Sequence, residues 1–146
     1  MRVYLAAAMT SADRDLPAIA ALVGHLERSG HEVPTRHVAD PNGRELDAAL
    51  SDAELARRDL DWLASCDALV AEVSTPSHGV GIEVMAAVQR LVPVLLLHRR
   101  GVRVSRLLHG LPFARATAYD ESAEATAAID SFLADVAAAR AAAGGA

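Results

Sequence analysis

The chain has 146 residues, 52% of them hydrophobic and only 3% aromatic, with a net charge of −5. That length supports one domain whose core is mainly Ala, Leu and Val, and the acidic, interspersed charge excludes a general surface for nucleic-acid polymers or membranes. A single cysteine (Cys66) excludes an internal disulfide, no HxxxH-type pair offers a metal cage, and the longest apolar run, residues 91–97, is too short to span a bilayer, so a reducing cytoplasm is the expected compartment.

The opening MRVYLAAAM places an Arg before small apolar residues, as a secretory leader does, but the run is at the short end for one. Residues 3–7 read instead as a buried strand entering a loop with Thr10, Ser11 and Asp13. Leu16, Ile19, Ala20, Val23 and Leu26 recur at helical spacing, and Ser29-Gly30 supplies a stop. Residues 32–35 predict a weaker second strand, which Pro34 confines to an edge position or an early end. ADPNGR at 39–44 predicts a loop. Ser51 and Glu54 then have the form of a capping box, opening a helix with Leu55, Trp62 and Leu63 on one face. Trp62 is assigned to the core. Asp59 falls on that same apolar face, where a carboxylate must be paired, protonated or used.

Residues 66–89 read CDALVAEVSTPSHGVGIEVMAAVQ, a short apolar strand followed by a Ser/Thr/Pro/Gly turn and a helical pattern. Glu83 stands just past two glycines at the expected helix start. Residues 92–98 predict another buried strand, with Pro93 tolerated near its first residue. Arg99, Arg100, Arg103 and Arg106 follow, with a short helix at 105–109 capped by Ser105. ARATAY suggests a last strand, and Ser122 or Asp120 can cap a final helix with Ile129, Phe132, Leu133 and Val136 on its apolar face. One domain is expected over 1–140, with 141–146 a flexible tail. Alternating strands and helices predict an α/β fold, a mainly parallel sheet of about five strands flanked by helices, with every βα loop on one sheet edge.

Each candidate residue also has an ordinary explanation. Acids are favoured in a helix's first turn, which accounts for Glu83 on position alone. Ser77 and Gly79 can simply build a turn, or they can bind an anion with a hydroxyl and backbone N–H groups. Tyr4 fits a strand aromatic filling the core, His37 a satisfied polar residue, and the arginines a solvated loop. Glu83 and Asp59 near one pocket are a stronger signal than either alone, because paired carboxylates divide nucleophile and acid roles at a glycosidic carbon.

The run RDLDWLASCDALVAEVSTPSHGVGIEV resembles the pattern QDLxWLxxADxxVAEVTxPSxGVGxE of the 2'-deoxynucleoside 5'-phosphate N-hydrolases, in the nucleoside 2-deoxyribosyltransferase superfamily. The resemblance implies a Rossmann or flavodoxin-like fold and hydrolysis of a (2'-deoxy)nucleoside 5'-monophosphate to free base and (deoxy)ribose 5-phosphate, without metal or cofactor. It implies Glu83 as nucleophile at C1', Asp59 as the residue that orients the sugar or assists base protonation, and Tyr4 as the residue that positions the glutamate. Ser77 and Gly79 match phosphate contacts, Ser105 matches a serine supplied by the neighbouring subunit of a homodimer, and His37, in RHV for the family's EHV, is placed near the base. The family's first loop reads GSIRGG, whereas residues 7–12 here are AAMTSA, so Met9 and Arg14 become the substrate-binding candidates there. A deoxyribosyltransferase and a non-catalytic nucleotide sensor are the alternatives. A phosphate pair argues against the first, and two carboxylates plus a tyrosine argue against the second.

Overall fold

The computed structural model describes residues 1–144 of the chain. Its strands are β1 (Val3–Ala7), β2 (Ala68–Glu72), β3 (Val94–Arg99) and β4 (Ala114–Tyr119), all parallel and hydrogen-bonded in the order β1-β2-β3-β4. The helices are α1 (Leu16–Arg28), α2 (Gly43–Ala48), α3 (Asp52–Ala64), α4 (His78–Gln89), α5 (Arg106–His109) and α6 (Ser122–Gly144), with a 3-10 turn over Arg36–Ala39. β1 and β2 are buried along their whole length, which is why both read as apolar runs, broken only where β2 ends in Glu72.

Two apolar layers cover the sheet. Val3, Leu5, Val70 and Leu97 pack under Ile19 and Leu26 of α1 and Ile129 and Phe132 of α6. On the other face Tyr4, Ala6, Leu69 and Leu96 pack under Leu63 of α3 and Val80 and Val84 of α4. Strand alternation therefore sends neighbouring residues of β1 and β2 to opposite layers. Asp15 caps α1 by accepting the Ala18 N–H, Ser51 and Glu54 complete their capping box at α3, and Gly30 ends α1 with φ +80°.

The expected second strand shrinks to one bridge, Arg2 with Glu32, so the sheet has four full strands where about five were expected. The reason is local. Pro34 has no N–H for a ladder, and the buried Thr35 hydroxyl accepts the Leu5 N–H at 3.0 Å and donates to the Leu5 carbonyl at 2.7 Å. One side chain thus satisfies the edge of β1 that a backbone strand would have covered.

Three further expectations change. The loop predicted at 39–44 gives way at Gly43 to α2, seated so tightly that a Cβ on Gly43 would lie 2.1 Å from the His37 carbonyl oxygen. Trp62, expected in the core, is only half-buried: it packs against the edge of the α3/α4 layer while its ring meets His37 and Arg58. α6 begins at Ser122 itself, with Glu124 reaching back to the Asp120 N–H at 2.8 Å, and its span to Gly144 includes the first residues of the segment expected as a flexible tail. Residues 145–146 of that tail lie outside the described residues. Among the described residues no helix is long and apolar enough to cross a membrane.

Candidate active site

With the Glu32 bridge beyond β1, the chain first builds outward and then returns to place β2 on the other side of β1. The sheet therefore has its topological switch between β1 and β2, where open parallel sheets bind ligands at the carboxyl edge. The loops meeting there are sewn together. Thr75 Oγ1 donates to the Asp13 carbonyl at 3.4 Å, and Arg99 pairs with Asp15 at 2.6 Å. The Asp15 carboxyl lies below its ordinary range, first through the Ala18 N–H and then through Arg99. A cavity of about 430 Å³ opens among Asp13, Asp15, Ser74, Thr75 and Arg99.

Tyr4 points from β1 into the α3/α4 layer and is 1% exposed. Glu83, on the second turn of α4, meets it there, accepting the Tyr4 hydroxyl at 2.6 Å. Burial above all, opposed by the tyrosine hydrogen bond and aided by the Asp59 charge, pushes the Glu83 carboxyl up to about 7. Burial and then Glu83 drive the Tyr4 hydroxyl well above its ordinary range, so Tyr4 is the fixed donor of the pair.

Asp59 reaches the same place from α3. Its Oδ1 accepts both Arg58 Nε at 2.9 Å and Arg58 Nη2 at 2.8 Å, and no described residue hydrogen-bonds to its other oxygen. Arg58 also donates to Asp47 of α2 at 2.8 Å and lies 4.6 Å above the Trp62 ring. His37 closes this wall, 3.7 Å from Asp47 and 5.8 Å from Trp62 between ring centres. Burial, more than any neighbouring charge, lowers the His37 pKa and keeps its ring neutral near pH 7.

Ser77 caps α4, its Oγ accepting the Val80 N–H at 3.4 Å while its carbonyl takes the Gly81 N–H at 3.2 Å. The N–H groups of His78 and Gly79 have no partner within the helix and carry its positive dipole end. A Cβ on Gly79 would meet nothing nearer than Ser77 Oγ at 3.8 Å, so open space lies above this turn. An anion has room to sit there.

Tyr4, Glu83, Asp59 and His37 are thus brought to one region, with Ser77 and Gly79 at the head of the same helix as Glu83. Ser105 is not joined to them. It is exposed, and its hydroxyl caps α5 by accepting the Leu107 N–H at 3.3 Å. Arg14 turns inward, donating to the Met9 carbonyl and the Asp40 carbonyl, each at 3.1 Å, and so ties the first loop to the segment before α2. Sequence reasoning missed Arg58 and Asp47. Arg58 stands beside Asp59, but its role depends on α2, which has no periodic apolar face to reveal it.

No family model matches the chain. Over 137 residues it is 38% identical to a Thermofilum pendens protein named "Putative 2'-deoxynucleoside 5'-phosphate N-hydrolase 1", a match covering 91% of this chain and 95% of that protein. The chain belongs to the 2'-deoxynucleoside 5'-phosphate N-hydrolase family. A Methanosarcina mazei protein of the same name is 45% identical over 87 residues, which cover 60% of this chain and 54% of that protein, so the chain spans about half of that relative's length. Among solved structures, Clostridium botulinum CMP N-glycosidase superposes with a TM-score of 0.68 at 24% identity, covering 89% of this chain and 98% of that one. At that identity the likeness establishes a common fold. The family pattern and the site geometry coincide at α3 and α4, the helices that carry Asp59 and Glu83.

Proposed function

We propose that the chain hydrolyses the N-glycosidic bond of (2'-deoxy)nucleoside 5'-monophosphates, releasing free base and (deoxy)ribose 5-phosphate. The observation that carries this is the half-buried Glu83 carboxyl, 2.6 Å from the Tyr4 hydroxyl and within the field of Asp59. Ionised Glu83 attacks C1'. The C1'–N bond breaks, its electron pair leaves with the base nitrogen, and the base takes up a proton there or at another ring position. Water then opens the glycosyl-enzyme and restores the carboxylate. Positive charge that builds at C1' in both steps is met by the carboxylate, and Tyr4 holds that carboxylate in one orientation.

In this scheme the unoccupied oxygen of Asp59 orients a sugar hydroxyl or assists base protonation, and Arg58 keeps the carboxylate aimed. His37 and Met9 line the base and sugar side, where Arg14 supports the loop. The 5'-phosphate binds at Ser77 and Gly79, so its binding energy, remote from C1', positions the reacting carbon. Ser105 stands apart from this group, which fits its contribution to the neighbouring site of a homodimer. The cytoplasm, where nucleoside monophosphates are abundant, is the proposed compartment.

The test is chromatography of purified protein incubated with deoxy- and ribonucleoside monophosphates and the matching nucleosides. Monophosphates are expected to yield free base and sugar 5-phosphate. Equal turnover of nucleosides and monophosphates would remove the phosphate argument, and transfer to an added acceptor base in place of water would make the protein a transferase.

A further inference from the structure

Glu72 takes no part in the chemistry just described, yet it is one of only two buried polar or charged side chains among the described residues, 3% exposed beside Thr35 at 2%. It ends β2 on the α1/α6 side of the sheet, away from Tyr4 and Glu83. Its Oε1 accepts the Ser74 N–H at 3.3 Å, the Ser74 hydroxyl, and the Tyr119 hydroxyl at 3.1 Å. The Ser74 oxygen in turn accepts the Arg99 N–H at 2.7 Å. A buried carboxylate costs stability unless donors converge on it, so this one must hold something together.

What it holds is the exit of β2. The last rung between β2 and β3 runs from the Val73 N–H to the Leu97 carbonyl at 2.8 Å. A regular parallel ladder would next bring the Arg99 N–H to the Val73 carbonyl. Ser74 Oγ takes that bond instead, so β2 leaves the sheet while remaining pinned to the ends of β3 and β4. Three residues later comes Ser77, the cap of α4. The Arg99 guanidinium lies 4.8 Å above the Tyr119 ring and pairs with Asp15, which extends the same network to the first loop.

We infer that Glu72 is a positioning residue for the phosphate-binding turn, fixing through Ser74 where the head of α4 stands relative to the carboxyl ends of β3 and β4. This rests on the proposed reading of Ser77 and Gly79 as the phosphate site. Glu72 touches no substrate. It acts through the turn, so losing it must weaken recognition of the 5'-phosphate before it slows bond cleavage.

The experiment compares wild type with Ser74→Ala, Ser74→Thr and Glu72→Gln in two measurements. Steady-state kinetics uses a deoxynucleoside monophosphate and its unphosphorylated nucleoside, and titration calorimetry uses 2-deoxyribose 5-phosphate, which carries the phosphate but no glycosidic bond. Ser74→Ala is expected to raise KM for the monophosphate and Kd for the sugar phosphate about tenfold, with kcat changed less than about twofold. Ser74→Thr should restore both, and Glu72→Gln should fall between. Tyr119→Phe removes only one donor from Oε1 and covers the case of misfolded variants, with an expected rise of about threefold. Unchanged KM and Kd in folded variants would overturn the inference, as would an equal fall in kcat for nucleotide and nucleoside. If wild type binds the sugar phosphate but cleaves no nucleotide, the hydrolase proposal falls and the calorimetric comparison still decides the role of Glu72.

Discussion

Glu83 is asked to carry a charge in a half-buried site poorly reached by water. Raising its carboxyl from the ordinary 4.5 up to about 7 corresponds to about 3 kcal/mol of unfavourable ionisation in the folded state. The sign follows from linkage. The folded protein holds that proton more tightly than the unfolded chain, so the contribution of Glu83 to stability is fully present below 4.5 and is lost as pH rises through about 7. Glu83→Gln removes the ionisation and is expected to raise Tm at pH 8 while leaving it nearly unchanged at pH 4, measured by thermal denaturation across the range. The same substitution should lower kcat at least about a thousandfold, because an amide does not attack C1'. In wild type the acid limb of kcat/KM should fall near pH 7. A limb near 4.5 would mean that Glu83 ionises as freely as a surface carboxylate and that burial does not hold its proton, while the loss of activity in Glu83→Gln would still decide its role as nucleophile.

Most elements could be read in advance, and those that could not share a cause. Buried parallel strands show as unbroken apolar runs, and α3 announces itself by its capping box, so their places follow from the chain alone. α2 does not, since its one large apolar residue, Leu46, is 60% exposed and its seat depends on Gly43 meeting the His37 carbonyl. The second strand shrinks to a bridge for a related reason, as the Thr35 hydroxyl supplies to Leu5 the bonds that a backbone ladder would supply. Thr35→Val keeps the shape but orphans the Leu5 N–H and carbonyl, both buried. It should cost about 3 kcal/mol in urea denaturation, whereas Thr35→Ser should recover most of that. A loss below about 1 kcal/mol would mean that water or a backbone strand replaces the hydroxyl.

At the scale of the whole molecule, the proposed sharing of Ser105 predicts subunit complementation. Glu83→Ala and Ser105→Ala proteins, each impaired alone, should regain about a quarter of wild-type activity when refolded together in equal amounts, measured below KM. A hybrid dimer then holds one site with Glu83 from one subunit and an intact Ser105 from the other. No recovery from dimers shown to have mixed would place Ser105 in its own subunit's site.

The sequence by itself determined the α/β layering, the family, and the candidacy of Glu83, Asp59 and Tyr4, because apolar periodicity and a long local motif are written along the chain. Only the tertiary structure decided that Tyr4 donates to Glu83 across 79 residues, that Arg58 clamps Asp59 to α2, and that Glu72 pins the turn ahead of α4 to β3 and β4. Burial and hydrogen-bond partnership are properties of positions in space, and a parallel sheet builds its carboxyl edge from segments far apart in sequence.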